Sequence, residues 1–354
     1  MGHITKDTSS MSANLQKQAA YEGTFSGFLA RQFTRPKAFP LEDVDLKGHV
    51  AVMTGANVGL GFEAARQLLA RGLTHLVMGV RSQAKGDAAA AALRKEFPGA
   101  TVAVWIVDME SYASVQAFAR RCDAELPRID YAILNAGLIQ TEFTTNEATG
   151  REVTLLVNFL STVLLTVLLV PVLKAKKKAT GGRPPVLSVV SSDVVYSDGV
   201  PLHQPVLPPF QDPKAISSMG KYGRSKLLLT LFVARLATEY VSPDDVIVNL
   251  SNPGATGGTA LFRGGGVVVK AVLAVMQVLL ARTLESGASN YLDAVLSYGS
   301  ESHGGFVSDW AVKPLPQIWY QPEGHELTDR IWTETMEELS FAGLPTILKD
   351  VKRN

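Results

Sequence analysis

Tyr222-Gly223-Arg224-Ser225-Lys226 puts a phenol and an ammonium four positions apart. On a helix those positions are neighbours. A cation beside a phenol stabilises the phenolate and lowers a pKa that ordinarily lies near ~10. The phenol then becomes a proton donor or acceptor usable near neutrality. Many helices carry Tyr and Lys at this spacing, and a lone tyrosine is more often a packing residue with its hydroxyl satisfied. The pair gains its weight from a glycine-rich loop far upstream and from the order of the segments between.

That loop is Thr54-Gly55-Ala56-Asn57-Val58-Gly59-Leu60-Gly61, which follows an apolar run and opens a helical one. Glycines let a backbone turn tightly and approach a pyrophosphate, and a helix N-terminus offers N–H donors and a positive dipole end. The spacing G-x-x-x-G-x-G is not the commoner G-x-G-x-x-G, and a ligand-free glycine turn is the plainer alternative. At the end of the next apolar run, His75 to Ser82, no carboxylate is present to hold a ribose 2′-hydroxyl, and Arg81 stands where a 2′-phosphate would lie. The same arginine could be an ordinary surface residue opening a helix; we read the cofactor as NADP(H). Asp108 could accept a hydrogen bond from an adenine amino group or cap the helix beginning near Ser111.

The elements that must hold these residues follow from the periodicity. Short aliphatic runs at 49–53, 75–80, 101–107, 130–134, 185–190 and 245–250 alternate with helical stretches at 60–71, 83–96, 111–125, 151–178 and 221–241. This pattern predicts an α/β fold, a doubly wound parallel sheet with helices on both faces, in one domain with no internal repeat. The expected organisation is an N-terminal arm over 1–47, of which Phe25–Phe33 docks on the body, a catalytic domain over 48–345, and a C-terminal tail over 346–354. The 354 residues are 46% hydrophobic and 19% charged, with net charge +1. That suits a globular protein with a large core and gives no sign of nucleic-acid binding. One cysteine, Cys122, excludes an internal disulfide and fits a reducing compartment, here the cytoplasm. The first forty residues lack the apolar run of a signal peptide. Val153–Leu173 is long and apolar enough to resemble a membrane span, but Asn158, Ser161 and Thr162 interrupt it between two expected strands, so a buried helix is expected.

Taken together, Thr54–Gly61, Asp108, Asn135-Ala136-Gly137, Asn158, Ser191-Ser192, Tyr222 with Lys226, and Pro253-Gly254 resemble the short-chain dehydrogenase/reductase family over roughly residues 48–310. The stretch Ala281-Arg282-Thr283-Leu284-Glu285-Ser286-Gly287-Ala288 is similar to the retinol-dehydrogenase-like branch and its fungal relatives. The resemblance implies roles. Tyr222 is the general acid or base, and Lys226 depresses its pKa and holds the nicotinamide ribose. Ser192 binds the substrate oxygen, and Asn158 kinks its helix and holds a water behind Lys226. Gly55, Asn57, Val58, Gly59, Leu60 and Gly61 cradle the phosphates. Asn135, Ala136 and Gly137 line the cofactor cleft, and Pro253 and Gly254 shape the nicotinamide pocket. Physics alone does not separate Ser191 from Ser192, and Asn158 alone could be a locally bonded buried amide.

The sequence departs from the family pattern in three places. Ser192 and Tyr222 are thirty positions apart, so an insertion spans Val194–Lys221. The threonine expected after Pro253-Gly254 is displaced by Gly257-Gly258, leaving Thr256 or Thr259 for the carboxamide contact. Leu134-Asn135 replaces two asparagines. The segment after Gly137, the 194–221 insertion and the 257–282 stretch are expected to wall the substrate site. The last is apolar from Val267 to Leu280 apart from Lys270 and Gln277, which suits a lid over a hydrophobic ligand. The expected substrate is therefore a bulky apolar ketone or secondary alcohol, polyketide-like, terpenoid or retinoid, with the resemblance tilting it to secondary metabolism. No metal is expected, and His203 and His303 read as loop residues. The alternatives are a membrane-associated retinoid or steroid dehydrogenase and a non-catalytic NADP-binding sensor. The apolar helices at 151–173 and 221–241 resemble the pair through which family members form homodimers.

Overall fold

The computed structural model describes residues 5–34, 44–197, 199–201, 204–259, 261–263 and 281–352. Strands β1 (Val50–Thr54), β2 (His75–Val80), β3 (Thr101–Ile106), β4 (Tyr131–Leu134), β6 (Val186–Val190), β7 (Ile247–Asn252), β9 (Phe306–Ser308) and β10 (Ala311–Lys313) form one eight-stranded sheet. A short pair, β5 (Ile139–Gln140) and β8 (Phe262–Arg263), stands apart from it. The order across the large sheet is β10-β9-β7-β6-β4-β1-β2-β3, with every neighbour parallel except β9 and β10. The order reverses between β1 and β4, and a crevice opens at the carboxyl ends of strands at such a switch point.

The continuous apolar strands produce this sheet because both faces are covered. In β1, Val50 and Val52 join one core cluster while Ala51 and Met53 join the other, as alternation along a strand requires. One face carries helices α3 (Gly59–Ala70), α4 (Gln83–Glu96) and α8 (Leu284–Leu296). The other carries α5 (Tyr112–Glu125), α6 (Val153–Thr180) and α7 (Ser218–Arg235). Ser82, Ser111, Ser217 and Thr283 each cap a helix by accepting a backbone N–H. α3 differs: its N-cap, Val58, makes no side-chain cap bond.

Helix α6 is the one helix among the described residues with the length and apolarity of a membrane span, and 94% of its most apolar window is buried in the protein. A helix hydrophobic on all sides belongs in a core, as expected. It contains a π-turn at Leu156–Leu160 with Asn158 at its centre.

Three features of the chain's organisation differ from expectation. The N-terminal arm, which carries no clear period in the sequence, is helical: α1 (Thr5–Glu22) and α2 (Phe25–Phe33) are joined by the buried Arg31–Glu22 ion pair. Phe25–Phe33 docks as expected, with Gln32 bonded to both backbone groups of Ala255. The C-terminus is no tail. Helices α9 (Pro322–Glu338) and α10 (Leu344–Val351) pack on α7 and α6 respectively. Their apolar positions, spaced at helical period among charged residues, gave no family motif to mark them. These two helices add a layer to the α6–α7 side of the sheet. Finally, the 194–221 insertion is pinned to the body: Val206 and Leu207 donate their N–H groups to the Glu334 carboxylate, and Phe210 and Ile216 are buried. The apolar stretch 267–280, expected as a lid, and His203 lie outside the described residues.

Leu348 of α10 is 2% exposed. Leu348→Ala should therefore lower the free energy of unfolding by about 2–4 kcal/mol in a denaturant titration; a solvated tail would give no measurable change.

Candidate active site

The six strand ends at the switch point supply one cleft of about 310 Å³. Gly55 follows β1, Arg81 follows β2, Asp108 follows β3, Asn135-Ala136-Gly137 follows β4, Ser191 follows β6 and Pro253 follows β7, and all of them line it. Gly55 and Gly59 have φ of 66° and 59°, the left-handed region where a Cβ is penalised. A Cβ on Gly61 would stand 2.4 Å from the Gly55 carbonyl oxygen. The Asn135 side chain donates to the carbonyls of Thr54 and Gly55 and so ties the loop to β4. Asn57, Val58, Gly59, Leu60 and Gly61 face the cleft with the uncapped end of α3. That is the arrangement of donors an anionic diphosphate requires.

At the far end, Arg81 pairs with Glu110 at 2.7 Å and is half-exposed. Lys85, one turn into α4, lines the same cleft. The sequence reading missed Lys85, although its position four residues after Arg81 on a helix start was a usable signal. Asp108 does not cap α5, since Ser111 does; its carboxylate accepts the Glu110 N–H and faces the cleft.

Tyr222 and Lys226 lie one turn apart on α7, and both line the cleft although their side chains are 6% and 4% exposed. The Lys226 Nζ donates to the Val190 carbonyl at 2.8 Å, at the end of β6. The two serines now separate. Ser191 Oγ is spent on Thr230 at 2.7 Å, whereas Ser192 faces the Tyr222 hydroxyl as its hydrogen-bond partner. Asn158 uses its whole amide. Its Oδ1 accepts the Leu138 N–H, and its Nδ2 donates to the Leu138 carbonyl and to Ser225 Oγ. It lies behind Gly137, where a Cβ would come within 3.3 Å of its Oδ1 and 3.6 Å of Lys226 Nζ. The helix distortion expected at Asn158 is the π-turn.

The electrostatics correct one expectation. Burial pushes the Tyr222 phenol up to about 12; the Ser192 hydrogen bond opposes this and the neighbouring Asp193 carboxylate adds to it. Lys226 is not among the groups acting on the phenol, and its own pKa falls to about 8 through burial. Desolvation is therefore the largest influence on the phenol in the protein without cofactor, and Tyr222 is protonated through neutral pH.

On the nicotinamide side of the family comparison, Pro253 lines the cleft, but Gly254 and Thr256 do not. Gly254, at φ 73°, is covered by the Arg282 guanidinium. The Thr256 hydroxyl turns back to donate to the Gly254 carbonyl at 3.1 Å. Thr259 lines the cleft instead, as does Tyr291 of α8, which the sequence reading did not identify. Arg282 is buried, reaching the carbonyls of Pro253 and Arg31 and the Asp309 carboxylate. Asp309 and Trp310 form the β9–β10 turn with φ of 55° and 57°, and the Trp310 indole N–H donates to Ser289 Oγ. A second cavity of about 250 Å³ brings the segment after β5 and the insertion together at Phe143, Pro213 and Ile216. It also contains Glu152 and Lys221, and is more polar than the expected apolar wall. His303 is structural, with Nδ1 accepting the Val248 N–H.

Residues 49–192 match the family model for short chain dehydrogenase. The chain is 57% identical over 344 residues to the short chain dehydrogenase virL of Hypocrea virens, covering 97% of this chain and all of virL. It is 44% identical to the short chain dehydrogenase/reductase mfmJ of Annulohypoxylon moriforme, covering 92% and 95% of the two chains. Among solved structures, a short-chain dehydrogenase from Sphingobium yanoikuyae in complex with NADPH superposes with TM-score 0.52 at 23% identity, covering 69% of this chain and 82% of that one. Salutaridine reductase from Papaver somniferum gives TM-score 0.53 at 19% identity, covering 73% and 99%.

The Lys226 environment has a thermodynamic consequence. A lysine whose folded pKa is depressed costs no stability above its unfolded value of 10.5, where both states are neutral. The cost grows as pH falls toward about 8 and is constant below that. Unfolding free energies of the wild-type protein and Lys226→Met, measured from pH 8 to 11 without ligand, should therefore converge as pH rises. The gap should change by ~3 kcal/mol in favour of the variant at the low end.

Proposed function

This chain belongs to the short-chain dehydrogenase/reductase family, and from that premise we propose that it is an NADP(H)-dependent reductase of a bulky, largely apolar ketone, running reversibly to the secondary alcohol. The observation that carries the reading is that a protonated phenol, a buried amine and a glycine-built phosphate cradle share a single cleft. The cleft suits the dinucleotide: Gly55 and Gly59 take the left-handed backbone of a tight phosphate-binding turn, and Arg81 and Lys85 put two cations at the end where a 2′-phosphate would sit.

When bound, NADP(H) supplies or accepts the hydride. The protein's residues handle the rest. Ser192 donates a hydrogen bond to the carbonyl oxygen and orients it beside Tyr222. Tyr222, kept protonated by its burial, gives its O–H proton to that oxygen as negative charge develops there. Lys226, held by the Val190 carbonyl, presents its remaining N–H groups to the ribose hydroxyls and, when protonated, stabilises the phenolate that Tyr222 leaves. Asn158 fixes the geometry by tying the π-turn to Leu138 and to Ser225, whose hydroxyl in turn donates to the Tyr222 carbonyl. A phenol held in its acid form carries the proton that reduction requires. The apolar composition of the 267–280 stretch supports an apolar substrate of polyketide or terpenoid type, and the one buried cysteine supports a cytoplasmic site of action.

Two measurements test this. Tyr222→Phe should lose turnover by about 10²–10⁴-fold while NADPH binding, followed by its fluorescence, stays within a factor of a few. Arg81→Ala should weaken NADPH about 10- to 100-fold and leave NADH unchanged. Equal use of NADH and NADPH by the wild-type protein would overturn the cofactor assignment.

A further inference from the structure

Tyr291 sits in the middle of α8 and is 1% exposed, among the largest fully buried side chains of the molecule. Buried tyrosine hydroxyls ordinarily find a partner. Tyr131 meets His49, Tyr196 the Pro314 carbonyl, Tyr298 the Asp293 carboxylate, and Tyr320 the Leu315 N–H. The Tyr291 hydroxyl has no hydrogen-bond partner among the described residues. Tyr112 shares that condition, but its oxygen is sealed within the protein. The Tyr291 oxygen is not sealed, and its side chain lines the cleft beside Pro253 and Thr259.

Its surroundings place it at the reacting end of the cleft. The Tyr222 phenol is near enough to act on it electrostatically, and burial raises the Tyr291 pKa, so it is an O–H donor at every pH of interest. Of the two threonines on the neighbouring loop, Thr259 lines the cleft and Thr256 does not. Thr256 spends its hydroxyl on its own loop and lies under Gly287, where a Cβ would come within 2.5 Å of the threonine Oγ1. A nicotinamide carries a carboxamide whose oxygen needs a donor once it leaves water.

We propose that Tyr291 is a cofactor-positioning residue, its hydroxyl donating a hydrogen bond to the carboxamide oxygen of the nicotinamide. The assignment rests on the NADP(H) reading above. It gives the ring a fixed rotation about its glycosidic bond and hence a fixed face toward the substrate carbon.

The test compares Tyr291→Phe with the wild-type protein, using two ligands: NADPH, and 2′-phospho-ADP-ribose, which has the same phosphates and adenosine but no nicotinamide. The variant should bind NADPH about three- to ten-fold more weakly, the loss expected of one neutral hydrogen bond, and bind 2′-phospho-ADP-ribose unchanged. Phenylalanine keeps the ring in its packing, and a melting curve verifies folding. As an independent reading in the unmodified protein, the thionicotinamide analogue of NADPH, whose sulfur is a weak acceptor, should bind several-fold more weakly than NADPH. Equal weakening of both ligands would move the contact to the diphosphate and overturn the proposal, as would unchanged NADPH affinity. Failure of the wild-type protein to bind NADPH would instead sink the cofactor reading.

Discussion

Removing Tyr222 and Lys226 from water is expensive, and much of the surrounding structure is arranged to make it tolerable. An amine and a phenol buried on one helix face each need a partner, because the interior returns less solvation than water does. Lys226 finds its acceptor at the carbonyl where β6 ends, and Tyr222 finds Ser192 just beyond. Those partners exist only if α7 crosses the sheet at one height and rotation. Asn158 enforces that placement from the π-turn in α6, holding Leu138 on one side and Ser225 on the other. A polar side chain in the most apolar helix of the chain is thus the link that sets the reactive pair against the strand ends.

A second network holds the other wall. Arg282 joins the Pro253 loop, the N-terminal helices and the β9–β10 turn, with Asp309 as its counter-ion. The two carbonyls and the Asp309 carboxylate take up donors of Nη1 and Nη2, which makes the buried guanidinium tolerable although its Nε has no partner among the described residues. The consequence is that α2, far from the cleft in sequence, is part of the scaffold of the loop beside the reacting end. Gln32 holds the backbone of Ala255 in that loop, which a side-chain substitution there does not remove, whereas the Arg31 carbonyl is held through the Arg282 side chain.

The geometry of the cleft was legible in the sequence where chemistry restricts residue type. The glycine loop, Arg81, the Asn135-Ala136-Gly137 turn and the Tyr222–Lys226 pair all occupy the cleft, because backbone approach and helical spacing leave few alternatives. The central strands were legible for a similar reason: a sheet covered on both faces needs unbroken apolar runs. Other features depend on contacts between distant segments and leave no local trace. The choice between Ser191 and Ser192 is made by Thr230, on another element. Thr256 is turned away by its own loop, and Tyr291 enters from a helix whose sequence speaks only of packing. The C-terminal helices read as ordinary amphipathic polymer, and only their docking on α6 and α7 reveals what they cover. The sign of the Tyr222 shift also depends on burial, which residue spacing does not encode.

The central claim is that burial, not the neighbouring ammonium, sets the protonation of Tyr222 in the protein by itself. Its most direct test is a near-ultraviolet tyrosinate titration of the wild-type protein without cofactor, taken as the difference from a Tyr222→Phe protein. The account predicts that the missing phenol titrates above the ordinary value, at about 12. A phenol that ionises near neutrality would contradict it and restore the lysine as the controlling charge.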